Sequence, residues 1–215
     1  MADVKTILAF GDSLTWGANP GPGDRHSFDD RWPNALSVAL NGKVRVIEEG
    51  MNGRTTVFPD PTATPERNGS VALPILLMSH QPVDLLIIML GTNDIKFANR
   101  CRAFDASMGI ARLVEITRQF VYNADYKAPK ILIVSPPHLV KSEDPWFYEL
   151  WDHAIAESRL FAGHYARVAE EYGCGFFDAA SAVEADPIDG GHLNAANTRK
   201  LSEALAPLVR QMLED

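Results

Sequence analysis

The 215-residue chain predicts a single α/β domain, 1–215, in which a five-stranded parallel sheet lies between two layers of helices. Three observations carry this reading. Five short apolar runs recur along the chain, several are continuous rather than alternating, and the stretches between them place apolar residues at helical spacing. Continuous runs are what strands covered on both faces require, and alternating strands and helices imply right-handed crossovers and a parallel sheet.

The strands are read at Thr6–Phe10, Val44–Ile47, Asp84–Leu90, Lys130–Val134 and Cys174–Phe177, with LLIIML and ILIV the most continuous. Leu113, Val114, Thr117, Phe120 and Val121 repeat as a helix before the fourth strand. Trp151, Ile155, Ser158, Ala162 and Tyr165 do so before the fifth. LSEALAPLVRQML closes the chain as an amphipathic helix that Pro207 should kink or weaken. The expected strand order is 2-1-3-4-5, that of flavodoxin-like sheets, in which ligands bind beyond the carboxyl ends of the strands. Three long loops follow strands, at 17–30, 55–70 and 138–146. The proline-rich middle one reads as an ordered lid or contact surface.

A net charge of −8 argues against binding to nucleic acid or to an anionic membrane, both of which need a basic face, and points to a neutral or weakly charged small substrate. Cys101 and Cys174, 73 positions apart, give neither a disulfide framework nor a zinc site, and are expected to be buried. The N-terminal MADVKTILAF lacks a signal-peptide core, and no run approaches the roughly 20 apolar residues of a membrane span. A cytoplasmic location is the expectation.

The motifs sit where the strand-end rule wants them. FGDSLTWG places Ser13 after the first strand, EEGMNGRTT places Gly53 after the second, LGTND places Asn93 after the third, and DGGHLN places Asp189 and His192 before the last helix. Each has an ordinary reading as turn or cap chemistry. Together they supply a serine nucleophile, a histidine base, an aspartate to orient it, and three donors for an oxyanion: the backbone N–H groups of Ser13 and Gly53 and the amide of Asn93. Asp12 is read as shaping the nucleophile turn and as a candidate substrate-binding residue beside Trp16, with Gly11 as a turn glycine. Trp16 is either a wall of the substrate pocket or core packing. Arg54 and Asp60 read as loop or interface charges. The other five histidines lack metal-ligand spacing.

These four blocks resemble those of the SGNH hydrolases, also called the GDSL esterase/lipase family. GDSLTWG, EEG with RTT, and IIMLGTND are most similar to its bacterial arylesterase and acyltransferase subgroup. The resemblance implies one SGNH hydrolase domain that needs no metal or other cofactor and hydrolyses short acyl and aryl esters through a covalent acyl-enzyme. It assigns Ser13, Asp189 and His192 to the triad and Ser13, Gly53 and Asn93 to the oxyanion hole. It also implies a homo-oligomer, to which apolar loop residues Phe28, Val57, Phe58, Trp146 and Phe147 would contribute. Acyl transfer to an alcohol or hydrogen peroxide would use the same residues. A non-catalytic flavodoxin-like binding domain is disfavoured because the first βα turn lacks the glycines that cradle phosphate.

Overall fold

The computed structural model describes residues 4–214 apart from Pro22 and Ala124. Residues 1–3 of the N-terminal stretch read above, and Pro22 of the 17–30 loop, therefore lie outside the described residues. Strands β1 (Lys5–Gly11), β2 (Val44–Gly50), β3 (Leu85–Met89), β4 (Lys130–Ser135) and β5 (Gly175–Asp178) form one parallel sheet in the order 2-1-3-4-5. The helices are α1 (Ser13–Trp16), α2 (Trp32–Ala39), α3 (Gly69–His80), α4 (Ala103–Gln119), α5 (Pro145–Trp151), α6 (Ile155–Ser158), α7 (Phe161–Tyr172) and α8 (Ala195–Glu214).

The continuous apolar strands are explained by a core on each face. Leu8, Phe10, Leu86, Ile88, Ile131 and Ile133 pack with residues of α3, α4 and α7. Their neighbours Ile7, Ala9, Leu85, Ile87, Leu132 and Val134 point the other way, onto α2 and α8. Successive side chains of a strand leave opposite faces, so a strand dry on both sides has no polar positions. In register, Gly11 at the end of β1 lies beside Gly50 of β2 and Met89 of β3. That edge gathers the loops that carry the motifs.

Three helical expectations change. The run from Trp151 to Tyr165 is not one helix: α5 ends at Trp151, a 3-10 turn spans Asp152–Ala154, and α6 stops at Ser158 before α7 begins at Phe161. The buried Ser158 hydroxyl accepts the Leu139 N–H at 3.0 Å and donates to the Ile155 carbonyl at 2.7 Å, tying this broken stretch to the loop after β4. Pro207 does not interrupt α8, which runs on to Glu214. Pro207 and Glu203, whose carbonyl loses its intrahelical donor, are both exposed, so water can satisfy that carbonyl. α4 ends at Gln119, leaving Val121 outside it and exposed.

Candidate active site

The carboxyl end of β1 turns directly into α1. Asp12 caps that short helix, its Oδ1 accepting the Leu14 N–H at 3.0 Å. Glycine is needed at both neighbouring strand ends for room rather than for a left-handed turn. A Cβ on Gly11 would lie 2.0 Å from Thr15 Oγ1, and one on Gly50 2.0 Å from Trp16 N. Because α1 can press this closely onto the sheet edge, Ser13 is held half-buried at a fixed point above it.

The loop before α8 brings Asp189 and His192 to that point. His192 Nδ1 lies 2.7 Å from Asp189 Oδ2, and His192 Nε2 lies 2.8 Å from Ser13 Oγ. A carboxylate can only accept here, so Nδ1 carries the proton and Nε2 is left to accept the Ser13 hydroxyl. Asp189 is fully buried, and its two oxygens also accept the N–H groups of Gly191 at 3.0 Å, His192 at 2.9 Å and Gly21 at 3.1 Å. Burial opposes its ionisation. The hydrogen bond and charge of His192 and the backbone donors outweigh burial and hold the carboxyl below the usual aspartate range.

Gly53 and Asn93 face the same serine from β2 and β3. Gly53 sits at φ +81°, a left-handed turn open to glycine at little cost. The N–H groups of Ser13 and Gly53 have no backbone acceptor among the described residues. Asn93 Nδ2 donates to Asp12 Oδ2 at 3.2 Å and to the Arg54 carbonyl at 3.1 Å. Both amide protons are thus engaged, and a reacting oxygen would have to share one of them.

Two groups secure this arrangement from below. Arg54 is buried rather than a loop or interface charge: its Nη1 donates to the Gly11 carbonyl at 2.7 Å and to the Glu49 carbonyl, joining the ends of β1 and β2, and its guanidinium lies over Phe10. Asp94 accepts the Thr56 N–H and hydroxyl. Burial is the main force raising the Asp12 carboxyl to about 6 and the Asp94 carboxyl to about 7.

A family model described as GDSL-like lipase/acylhydrolase matches residues 9–199, a span that includes every residue of this constellation. The chain belongs to the GDSL-like lipase/acylhydrolase family. As a member it is a carboxylic ester hydrolase. Among solved structures, a carbohydrate acetylesterase family member from Sinorhizobium meliloti is 43% identical with a TM-score of 0.94, covering 98% of this chain and 100% of the other. An aryl esterase from M. smegmatis is 41% identical at a TM-score of 0.92, covering 97% and 99%. A second carbohydrate acetylesterase from Sinorhizobium meliloti is 37% identical, also at 0.92, with the same coverage. No curated protein matches the chain significantly.

In this acylhydrolase the serine opens into a cleft of about 210 Å³. Trp16 lines it, half-buried with Arg25 over its ring, and so forms a wall rather than core. The opposite wall is α5, through Trp146, Phe147, Leu150 and Trp151. Trp146 and Phe147 were expected only as apolar interface groups. Nothing local in the sequence marks α5 as part of the site, since its register follows from the break at Trp151. Likewise missed were the Gly21 N–H on Asp189, and Asn99, whose Nδ2 donates to the Asn93 carbonyl at 2.7 Å. The remaining histidines lie elsewhere: His26 is buried with Nε2 2.8 Å from the Leu193 carbonyl, and His80 pairs with Glu49. Cys101 and Cys174 are half-buried rather than fully buried.

Among the described residues, no helix is long and apolar enough to cross a membrane.

Proposed function

We propose that this acylhydrolase removes short acyl groups, acetyl above all, from small esters by a Ser13–His192–Asp189 triad. The single observation that carries the reading is the unbroken hydrogen-bond chain from Ser13 Oγ through His192 to a buried, ionised Asp189. Ser13 Oγ attacks the ester carbonyl while His192 Nε2 takes its proton, and Asp189 stabilises the imidazolium without itself accepting the proton. The developing oxyanion is met by the N–H groups of Ser13 and Gly53 and by the Asn93 amide. His192 returns the proton to the departing alcohol, leaving an acyl-enzyme that water, activated by the same imidazole, hydrolyses. Solved relatives named as acetylesterases and an aryl esterase support the short-acyl assignment.

We further read residues 1–215 as one domain, because the strands of the single sheet draw on nearly the whole chain. We also propose a homo-oligomer. Phe28 and Trp146 are exposed at 62% and 66%, and Val71, Ile75, Met78, Phe104 and Met108 form a further apolar face on α3 and α4. Light scattering at micromolar concentration giving the monomer mass of 23.7 kDa would contradict this.

The test of the mechanism is turnover of 4-nitrophenyl acetate by wild type and Ser13→Ala. Loss of the hydroxyl should lower kcat by roughly 10⁶, as removal of a triad serine does. Substantial retained activity would remove Ser13 as nucleophile. Mass spectrometry of the wild-type enzyme quenched during turnover should find an added acetyl group on the peptide containing Ser13.

A further inference from the structure

A second cavity, of about 710 Å³, adjoins the Ser13 cleft and shares Gly53, Lys96, Trp146 and Leu150 with it. Its outer wall is the 55–70 loop, which contributes Asp60, Thr62 and Arg67. The two spaces differ in chemistry. Lys96 stands at their junction and lines both; beyond it the smaller is walled largely by tryptophan, phenylalanine and leucine, whereas the larger adds a second cation, Arg67, that no ion pair among the described residues neutralises.

The Lys96 side chain is 17% exposed, and its ammonium lies 4.0 Å from Asp60 Oδ2, the outer limit of an ion pair. Desolvation by burial holds this ammonium below the usual lysine range, and the field of Arg67 pushes the same way. Arg67 makes no ion pair within 4.0 Å among the described residues, and its buried Nε has no hydrogen-bond partner. The guanidinium lies against Gly53, so that a Cβ there would come within 3.2 Å of Arg67 Cζ and Nε. Among the described residues that line the cavity, Asp60 is the carboxylate whose side chain is buried, and its other oxygen is occupied by the Thr62 N–H at 2.9 Å and hydroxyl at 2.5 Å; the buried Asp12 and Asp94 act on Lys96 only at longer range. Glu149 at the rim is exposed to water, which screens it. Arg54, whose buried Nε likewise has no partner, does not line the cavity, its Nη1 being turned to the Gly11 and Glu49 carbonyls.

Two partly desolvated like charges sharing one carboxylate repel each other and lack the pairing that buried charges normally have. An anion placed between them relieves both, and a guanidinium fork fits a carboxylate in two-point contact. We propose that the second cavity is a subsite for a carboxylate carried by the alcohol part of the ester. The assignment to the alcohol rests on the short-acyl reading above: a small acyl group takes the narrow apolar cleft and leaves the larger, charged cavity to the group on the other side of the scissile bond. The net charge of −8, which at the level of the whole chain points to a neutral or weakly charged substrate, is overruled locally by Lys96 and Arg67.

The experiment compares 3-acetoxybenzoate with its neutral isostere 3-acetoxybenzamide, both losing acetate, in the wild-type protein, Arg67→Gln and Arg67→Lys. The wild type should favour the acid in kcat/KM by about tenfold, the scale of one additional charge-assisted contact. Arg67→Gln should bring the acid-to-amide ratio close to one, and Arg67→Lys, which keeps the charge but loses the two-point fork, should retain only part of it. Thermal melts establish that each variant is folded. A second readout needs no catalysis: calorimetric binding of 3-hydroxybenzoate to Ser13→Ala should weaken about tenfold when Arg67→Gln is added, with 3-hydroxybenzamide unaffected. If the amide ester is turned over in a Ser13-dependent way but the ratio does not respond to Arg67, the subsite is refuted and the esterase reading stands. If no ester is cleaved yet 3-hydroxybenzoate binding depends on Arg67, the reverse holds. A preference for an acid on the acyl side, tested with 4-nitrophenyl hemisuccinate against 4-nitrophenyl butyrate, would overturn the assignment to the alcohol.

Discussion

Replacing Asp94 by asparagine removes a carboxyl group that the fold holds against its preference for water. Asp94 is fully buried, hydrogen-bonded by Thr56 and near a second buried carboxyl, Asp12. Desolvation is the main cause that lifts it from 3.8 to about 7, with the Asp12 charge adding to the rise. Its folded-state value lies above its unfolded one, so its contribution to stability is complete below about pH 4 and is lost as pH rises to about 7. Over that window the unfolded chain has released a proton that the folded chain keeps, and the cost accumulates to on the order of 4 kcal/mol. Asp12 acts in the same direction up to about 6, while Asp189, held below its usual range, acts oppositely as pH falls. Both remain in the variant. The difference between wild type and Asp94→Asn therefore reports Asp94 together with its coupling to Asp12, since removing one charge also relaxes the other carboxyl. Urea unfolding of both proteins from pH 4 to 8, at one protein concentration, should show the variant gaining on the wild type by a few kcal/mol across the range. Loss of the Thr56 contacts adds an offset that does not depend on pH. Two curves that stay parallel within about 1 kcal/mol would refute the assignment, because linkage allows no constant difference if a group titrates differently in the two states.

Asn93→Ala should keep its fold and lose roughly 10² to 10³ in kcat, the worth of one oxyanion donor; a pure KM effect would make it a ground-state contact. Arg54→Met should lower stability by about 3 kcal/mol or more, since it removes buried charge-assisted bonds that join β1 to β2, and unchanged urea unfolding would show that the strand ends need no clamp. Turnover of 4-nitrophenyl esters should peak at acetate or propionate and drop by C8, because the cleft of about 210 Å³ lined by Trp16, Trp146 and Trp151 is small and the larger space beside it carries the charges of Lys96, Asp60 and Arg67. A steady rise with length, at about 0.8 kcal/mol for each CH₂, would instead indicate an open groove.

How much of this was legible beforehand depends on the range over which each residue's role is decided. The strands were readable because LLIIML and ILIV record their own environment: a segment dry on both faces must be apolar throughout. The strand order and the clustering of Ser13, Gly53, Asn93, Asp189 and His192 followed, since parallel crossovers send all strand ends to one edge. α3 was not placed. It is apolar nearly all round, with Val71, Ile75 and Met78 exposed, so no face stands out in its periodicity. The 151–165 run kept a helical period that the chain abandons, because Ser158 bonds to the loop after β4.

Arg54 reads as a loop or interface charge because its partners are backbone carbonyls at Gly11 and Glu49, which no side-chain pattern records. The sequence by itself determined the sheet, its order and the residue types that meet at its edge, because covalent spacing and burial periodicity are local. Only the tertiary structure decided that α5 walls the cleft, that Arg54 is buried, and that Arg67, Lys96 and Asp60 line one cavity. Those facts depend on loops that return from far along the chain, and on how completely each charge is stripped of water when they do.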